Sequence, residues 1–314
     1  MIGIISYAVF FTTIAAILAI AVLGLNFQWG NTGLFNGGVA AFFGAGAYAT
    51  IMLGGTPQPD QLGGFGLFYP LALIGGTIIA GALAWVVGLL TLRLRHDYLA
   101  ISTFGVAVAF ETVVRNASGF SGGALGMRGF ERPLEALIAN PFFYNLLFLL
   151  LVAVVLLAVY FYLERVIKSP FGRLLRAIRE DEVAAQSLGK NPSKIRLKAF
   201  VVGSMIMGMA GGLFASFYAF ISPQDVLPTL TFQIWAMLIV GGAGNNKGAI
   251  AGTFIIWGAW TLSGWGLANY APIEAQLYTG SIQYIIIGFI IVGMLLWRPQ
   301  GLFPEKLVVS QSGR

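Results

Sequence analysis

Cysteine is absent from this 314-residue chain, and histidine occurs once, at His96. Without thiols there is no disulfide framework, no thiolate metal site and no cysteine nucleophile, and a single imidazole builds no histidine-rich metal centre. Charge is scarce too. Only 10% of the residues are Asp, Glu, Lys or Arg, against about a quarter in a soluble domain. So little charge cannot cover a water-facing surface of this size. No Ser-His-Asp set, catalytic carboxylate pair or metal-ligand spacing stands out. The one segment that looks like a phosphate loop, GGAGNNKG (Gly241–Gly248), lacks the Ser or Thr that must follow the lysine, because Gly248 follows Lys247. It reads as a glycine-rich turn, and the chain is not expected to hydrolyse ATP itself.

What the sequence has is apolar length. Hydrophobic residues make up 58% of the chain, a further 42 residues are glycine, many of them inside the apolar runs, and the mean hydropathy is +0.83. About 20 apolar residues cross the hydrocarbon core of a bilayer. Candidate segments fall at 4–25, 33–54, 70–92, 97–114, 142–164, 199–221, 229–243, 247–264 and 281–297. The expected fold is all-α, a polytopic transmembrane helical bundle of about nine spans (8–10) forming one membrane domain over 1–314. The pair at 229–264 is short, and 26–41 is irregular. No Lys or Arg precedes the first run, so Ile4–Leu25 is expected to be a retained span and not a signal peptide. GGVAAFFGAGAY (Gly37–Tyr48) and GMAGGLFASFY (Gly208–Tyr218) echo each other, and both fit helices that pack closely on neighbours.

Nine of the eighteen Lys and Arg residues lie between Arg165 and Lys198. Lys and Arg in short loops mark the cytoplasmic side. Placing 165–198 in the cytoplasm also puts Arg93, Arg95, Lys247, Arg298, Lys306 and Arg314 inside. The loops around Asp60, Asp225 and Glu274 then fall outside. The 115–141 loop is mixed, with Arg115, Arg128 and Arg132 beside Glu131 and Glu135. The N-terminus is expected outside and the C-terminus inside. A net charge of +6 spread over membrane-flanking loops gives no basic face for nucleic acid.

The 165–198 loop has internal order. Ser169 suits an N-cap and Pro170 a first helical position. Phe171, Leu174, Leu175 and Ile178 recur at helical spacing, while Arg173, Arg176 and Arg179 mostly line the other face. The acidic run Glu180, Asp181, Glu182 suits a helix start, Gly189 and Lys190 a stop, and Pro192 the next span. One or two short helices are expected. Basic residues resting on anionic membrane lipid would explain the charge alone. A capped helix with an apolar stripe fits docking into a groove of a cytoplasmic partner.

Two features suggest a solute pathway. Glu111 lies within an apolar run, where a carboxylate marks function by default. Its other reading is a pairing with Arg115 at i+4 near the outer interface. The segment 26–38 holds Asn26, Gln28, Asn31, Thr32, Gly33, Asn36 and Gly37. Irregular polar backbone at membrane depth lines a cavity or is buried in protein, and a half-helix starting there would aim N–H groups at a carboxylate. An ordinary short loop on the cytoplasmic side is the alternative.

SPFGRLLRAIREDEVAAQSLGKNPSKIRLKAF (Ser169–Phe200) resembles the cytoplasmic loop of permeases of branched-chain amino-acid ABC transporters, of the LivM type. LNFQWGNTGLFNGGVAAFFGAGAY, TLRLRHDYLAISTFGVAVAFE, MLIVGGAGNNKGAIAGT and WRPQGLF agree in order, so the likeness covers nearly the whole chain. The resemblance implies a subunit of an ATP-driven importer in a bacterial inner membrane. Its partners would be a second, LivH-like permease, two cytoplasmic ATPase subunits that carry the ATP and Mg, and a periplasmic solute-binding protein. No cofactor is implied in this chain. The resemblance makes 165–198 the coupling element, with Pro170, Phe171, Gly172, Arg173, Leu174, Arg176, Ala177, Ile178, Arg179, Glu180, Asp181, Glu182, Ala185, Leu188 and Gly189 facing an ATPase. It departs at Val39, where the family often has His between Gly and Ala. Urea and short-amide importers use similar permeases, so the solute is a branched-chain or other neutral amino acid, or else urea. A secondary transporter or channel would need several buried ionisable groups, and Glu111 stands almost alone.

Overall fold

The computed structural model describes residues 2–57, 62–94, 96–128, 132–133 and 140–305. Asp60, Arg95, Glu131, Glu135, Lys306 and Arg314, which entered the orientation argument, lie outside the described residues, as does the side chain of His96. The helices, in chain order, are α1 (Ile2–Thr32), α2 (Val39–Gly54), α3 (Tyr69–Thr91), α4 (His96–Asn116), the single turn α5 (Ser118–Ser121), α6 (Pro141–Lys168), α7 (Pro170–Glu180), α8 (Glu182–Ser187), α9 (Pro192–Tyr218), α10 (Pro228–Gly241), α11 (Asn246–Tyr270), the turn α12 (Ile273–Gln276) and α13 (Thr279–Trp297). Each of the nine apolar segments contains a helix, with residues 33–38 of the second left non-helical. Among the described residues, six helices are long and apolar enough to cross a membrane: α1, α3, α4, α6, α9 and α13. Helix α11 has 25 residues but is less apolar, and α2 and α10, at 16 and 14 residues, are short. At 1.5 Å per residue those two reach only about 24 and 21 Å, less than a hydrocarbon core of about 30 Å.

Helix α9 is the centre of the bundle, packed on α1, α2 and α3. Small residues let the backbones meet. A methyl group on Gly24 would stand 2.6 Å from the Gly203 carbonyl oxygen. On Gly46 it would overlap the Gly208 carbonyl, and on Gly211 the Phe43 carbonyl. The two segments that echo each other in sequence are therefore the two faces of one contact, α2 against α9. Almost all of α2 is buried, from Val39 to Met52. By contrast, α3, α4, α6 and α13 expose large apolar side chains such as Ile78, Ile101, Leu150 and Phe289, as lipid-facing helices do.

The chain reversals gather at two ends. One end collects the last turn of α1, the end of α6, helices α7 and α8, the α10–α11 turn and residues 298–305, all joined by hydrogen bonds described below. This is the basic end. At the opposite end a two-residue antiparallel pairing sets Met127 against Ile221 and Arg128 against Phe220, and the Leu62 N–H reaches the Gly119 carbonyl at 2.9 Å. These strands are short additions to an all-α architecture.

One boundary matches the sequence reading and one differs. Helix α9 starts at Pro192, as the proline suggested, capped by Asn191 (3.1 Å to the Lys194 N–H), and so extends ahead of the apolar segment at 199–221. Helix α1 runs on through Asn26–Thr32, where irregular backbone was expected. Asn26 and Gln28 bond to other elements, while Asn31 and Thr32 bond back to the Asn26 and Gln28 carbonyls of the same helix without interrupting it. The helix stops at Gly33, whose φ of +68° suits a left-handed glycine cap.

The α2–α9 contact is testable by stability. Gly46→Ala should lower the thermal midpoint of the detergent-solubilised chain by an amount corresponding to about 1–3 kcal/mol of overpacking. Gly105→Ala, at a position with open space around it, should leave the midpoint unchanged. Equal behaviour of the two variants would refute the close approach.

Candidate functional site

The break at 33–38 between α1 and α2 is held by a buried polar network. Asn26, Gln28, Asn31, Thr32 and Asn36 are all within 1% of complete burial. Away from water each polar atom needs a partner inside the protein. Gln28 donates to the Phe200 carbonyl at 2.7 Å and to Ser204 Oγ at 3.0 Å, both on α9. Its Oε1 accepts from Asn36 Nδ2 at 2.8 Å. Asn36 Oδ1 in turn accepts from the Gly38 N–H at 2.7 Å and so leads into α2. Its carbonyl accepts from Trp235 Nε1 on α10 at 2.9 Å. Phe35 stacks on Trp235 with ring centroids 4.2 Å apart, and Trp29 meets both rings edge-on. From α4, Thr103 Oγ1 accepts from the Gly37 N–H at 2.8 Å. From α10, Thr231 Oγ1 accepts from the Ala40 N–H at 3.1 Å. The Thr32 hydroxyl bonds back to the Gln28 carbonyl.

Of the expected pathway residues, Asn26, Thr32, Gly33, Asn36 and Gly37 therefore share one neighbourhood, while Glu111 does not. Glu111 lies in the opposite half of α4 and forms an ion pair with Arg115 one turn on. The start of α2 is not an open anion site in this conformation either: the Gly38 and Ala40 N–H groups are taken up by Asn36 and Thr231. Val39, where the family often has His, is fully buried.

Asn26 carries the network to the basic end. Its Nδ2 donates to Asn246 Oδ1 at 2.9 Å, and its Oδ1 accepts from the Gly244 N–H at 2.8 Å. Asn246 Nδ2 continues to Glu164 Oε1 on α6 at 3.2 Å. The stretch that looks like a phosphate loop is thus a turn between α10 and α11, with Asn245 capping the Lys247 N–H at 3.0 Å. Residues 302 and 303 finish α10, donating to the Val240 and Gly241 carbonyls, each at 3.0 Å. Among the described residues no group of three or more acidic or histidine side chains could hold a metal ion.

Helices α7 and α8 are the two short helices of the basic loop. Ser169 caps the first (3.4 Å to the Gly172 N–H) and Asp181 the second (2.9 Å to the Ala184 N–H). Gly189 follows α8 at φ +73°. The apolar stripe does not face outward as a docking surface would. Leu175 and Ile178 are buried in this chain, and Phe171 and Leu174 are partly so. An amphipathic helix beside a bundle covers the bundle first. Gly172 and Ala185 are buried as well. Arg176, Arg179 and Glu182 are half-buried, with Glu182 paired to Arg196 on α9 at 2.7 Å. What remains outward is Pro170, Arg173, Ala177, Glu180, Asp181, Leu188 and Gly189, together with Val183. Val183 and Leu188 are 71% and 79% exposed.

Arg179 ties α7 to the rest of this end. One nitrogen of its guanidinium bonds the Gly30 carbonyl in the last turn of α1. Another sits 3.0 and 3.2 Å from the two carboxylate oxygens of Glu305. Gln28 was visible in the sequence as part of the polar 26–38 segment, whereas Thr103, Trp235, Asn246 and Glu305 were not singled out by it. The NN pair in GGAGNNKG was a visible signal for Asn246, whereas a threonine in an apolar helix such as Thr103 carries none.

Comparison with known proteins agrees with this architecture. The family model described as branched-chain amino acid transport system / permease component matches residues 7–295. The chain is 30% identical to the high-affinity branched-chain amino acid transport system permease protein LivM of Escherichia coli, over 93% of this chain and 69% of that protein. It is 26% identical to a probable LivM of Methanocaldococcus jannaschii, over 92% and 90%. It is also 23% identical to the LivH permease of Escherichia coli, over 92% and 94%. No solved structure matches the chain. With a family match across most of its length and helices built to cross a bilayer, the chain belongs to the branched-chain amino acid transport system permease family and is a multi-pass membrane protein.

Proposed function

We propose that this chain is one of two permease subunits of an ATP-driven importer for branched-chain amino acids, working by alternating access. The observation that carries this reading is the Arg179 junction. A helix at the basic end, α7, is joined by one guanidinium to the end of α1, at the head of the buried break, and to the segment that completes α10. A partner that moves α7 therefore moves the elements around 33–38. The charge pattern of the loops supports a cytoplasmic basic end, with the N-terminus outside and the C-terminus inside. Likeness to both LivM and LivH supports a second permease of the same architecture. Two ATPase subunits would bind ATP and Mg and receive the outward side of α7 and α8. A solute-binding protein would deliver cargo at the opposite end. The apolar walls of the bundle suit a solute with an aliphatic side chain.

In the cycle, ATP binding would draw the two ATPases together and shift α7. Coulombic attraction from Glu305 and the charge-assisted bond to Gly30 would carry that shift to α1. The network at 33–38 would then have to exchange partners as a unit, since leaving any one of its groups unpaired costs about 1–3 kcal/mol. Such a network favours discrete states over gradual deformation.

Five outcomes test this reading. Gentle solubilisation of the tagged chain should bring down two ATPases and a second permease. The reconstituted assembly should import leucine with ATP, and uptake of urea in its place would assign the solute to the short-amide class. Val183→Asp with Leu188→Asp should leave the chain inserted but strip the ATPases, and retention of the ATPases would move the docking surface elsewhere. Arg179→Ala should keep the assembly and its ATP hydrolysis while lowering uptake per ATP by about tenfold, within the range of typical coupling energies. In the cysteine-free chain, Ser187→Cys should react with an impermeant thiol reagent only in inside-out vesicles and Gln224→Cys only in right-side-out ones. The reverse pattern would invert the orientation.

A further inference from the structure

A polar cavity of about 410 Å³ opens at the basic end. Tyr160, Glu164 and Lys168 of α6, Arg176 of α7, Lys247 of α11 and Glu305 line it. Its charges are unequally committed. Glu164 is held by Lys168 at 3.1 Å and by Asn246 at 3.2 Å. Glu305 is held by Arg179 at 3.0 Å. Among the described residues, neither the guanidinium of Arg176 nor the ammonium of Lys247 has a hydrogen-bond or ion-pair partner. Both carboxylates are neutralised and two cations are left over, so the cavity favours an anion.

The wall above the cavity indicates the anion's carrier. At 100° per residue, Leu157, Leu150 and Leu146 lie on the same face of α6 as Glu164 and Tyr160. They are 54%, 61% and 45% exposed. A lipid-facing apolar stripe thus runs down α6 straight into a cationic cavity, with Tyr160 at the transition, where amphipathic aromatics sit at the headgroup level. A soluble anion would have no use for that stripe. A basic pocket between helices at a membrane surface is suited to a lipid phosphate.

We propose that this cavity binds the phosphate of an anionic phospholipid, with Arg176 and Lys247 contacting the headgroup and the acyl chains lying along Leu157, Leu150 and Leu146. Arg176 belongs to α7 and Lys247 to α11, so a bound lipid would bridge these two helices. The site does not depend on the import reading, because it requires only that α6 faces lipid.

The test is native mass spectrometry of the detergent-solubilised chain titrated with dioleoylphosphatidylglycerol or dioleoylphosphatidylcholine. The wild type should retain one phosphatidylglycerol in preference to phosphatidylcholine. Arg176→Gln with Lys247→Gln should weaken that retention by about tenfold or more, given two cations at a surface. Arg173→Gln with Lys190→Gln removes the same charge from exposed positions of the same loop and should leave retention unchanged. An equal loss in both double variants would reduce the effect to diffuse loop charge and overturn the site. So would equal retention of the two lipids. Saturation by glycerol-3-phosphate at the concentration that suffices for the lipid would show a soluble-anion site and exclude the acyl contribution. If the cavity variant instead released the ATPases from the native complex with lipid retention unaltered, the occupant would be an acidic partner residue and the lipid assignment would fail.

Discussion

A buried amide in a membrane protein must find its partners within the protein, and the arrangement at the basic end follows from that constraint. Asn26, Gln28 and Asn36 each connect two or more chain segments, so helices α1, α9, α10 and α11 are fixed to one another around the 33–38 break. Apolar packing alone would leave the register of these helices loosely specified, since lipid tails are as apolar as leucine and offer little preference for one helix contact over another. The amides choose one register. Glycine makes the choice reachable by letting α2 and α9 approach until backbone meets backbone.

The same network has a functional consequence. The break is largely buried and lies where α1, α2, α4 and α10 meet, next to the two short helices α2 and α10. A region held by several mutually dependent hydrogen bonds is either intact or rearranged, with few intermediate states. That property suits a gate. Helix α7, the lever in the proposed cycle, is attached to the bundle by the buried Leu175 and Ile178 as well as by Arg179, and leaves Arg173 and Glu180 outward.

Helix α7 shows why sequence patterning stops short of assigning a surface. Phe171, Leu174, Leu175 and Ile178 form an apolar stripe under either reading, docked to a partner or docked to the chain itself. Periodicity states that a face is apolar and leaves open what covers it. The caps at Ser169 and Asp181 depend on neighbours three residues away, and that short reach made the helix starts there legible. The ion pair between Arg179 and Glu305 joins residues more than a hundred positions apart and left no local trace.

By itself the sequence determined the class of molecule. Scarce charge, nine apolar segments and basic residues in alternate loops fix an all-α membrane bundle, because the bilayer allows few ways to satisfy the backbone. It also indicated the starts of the helices in the basic loop and of α9, through Ser169 and Pro170, the acidic run 180–182 and Pro192. Only the tertiary structure decided that 26–32 is helical. The outcome turned on whether its amides met partners on α9, α10 and α11, and a polar side chain within an apolar run breaks a helix or anchors one according to what lies across from it. The tertiary structure also separated Glu111 from the polar break, by placing it in the opposite half of α4 beside Arg115. Distance along the chain and distance across the bundle are independent, and polar chemistry acts through the second.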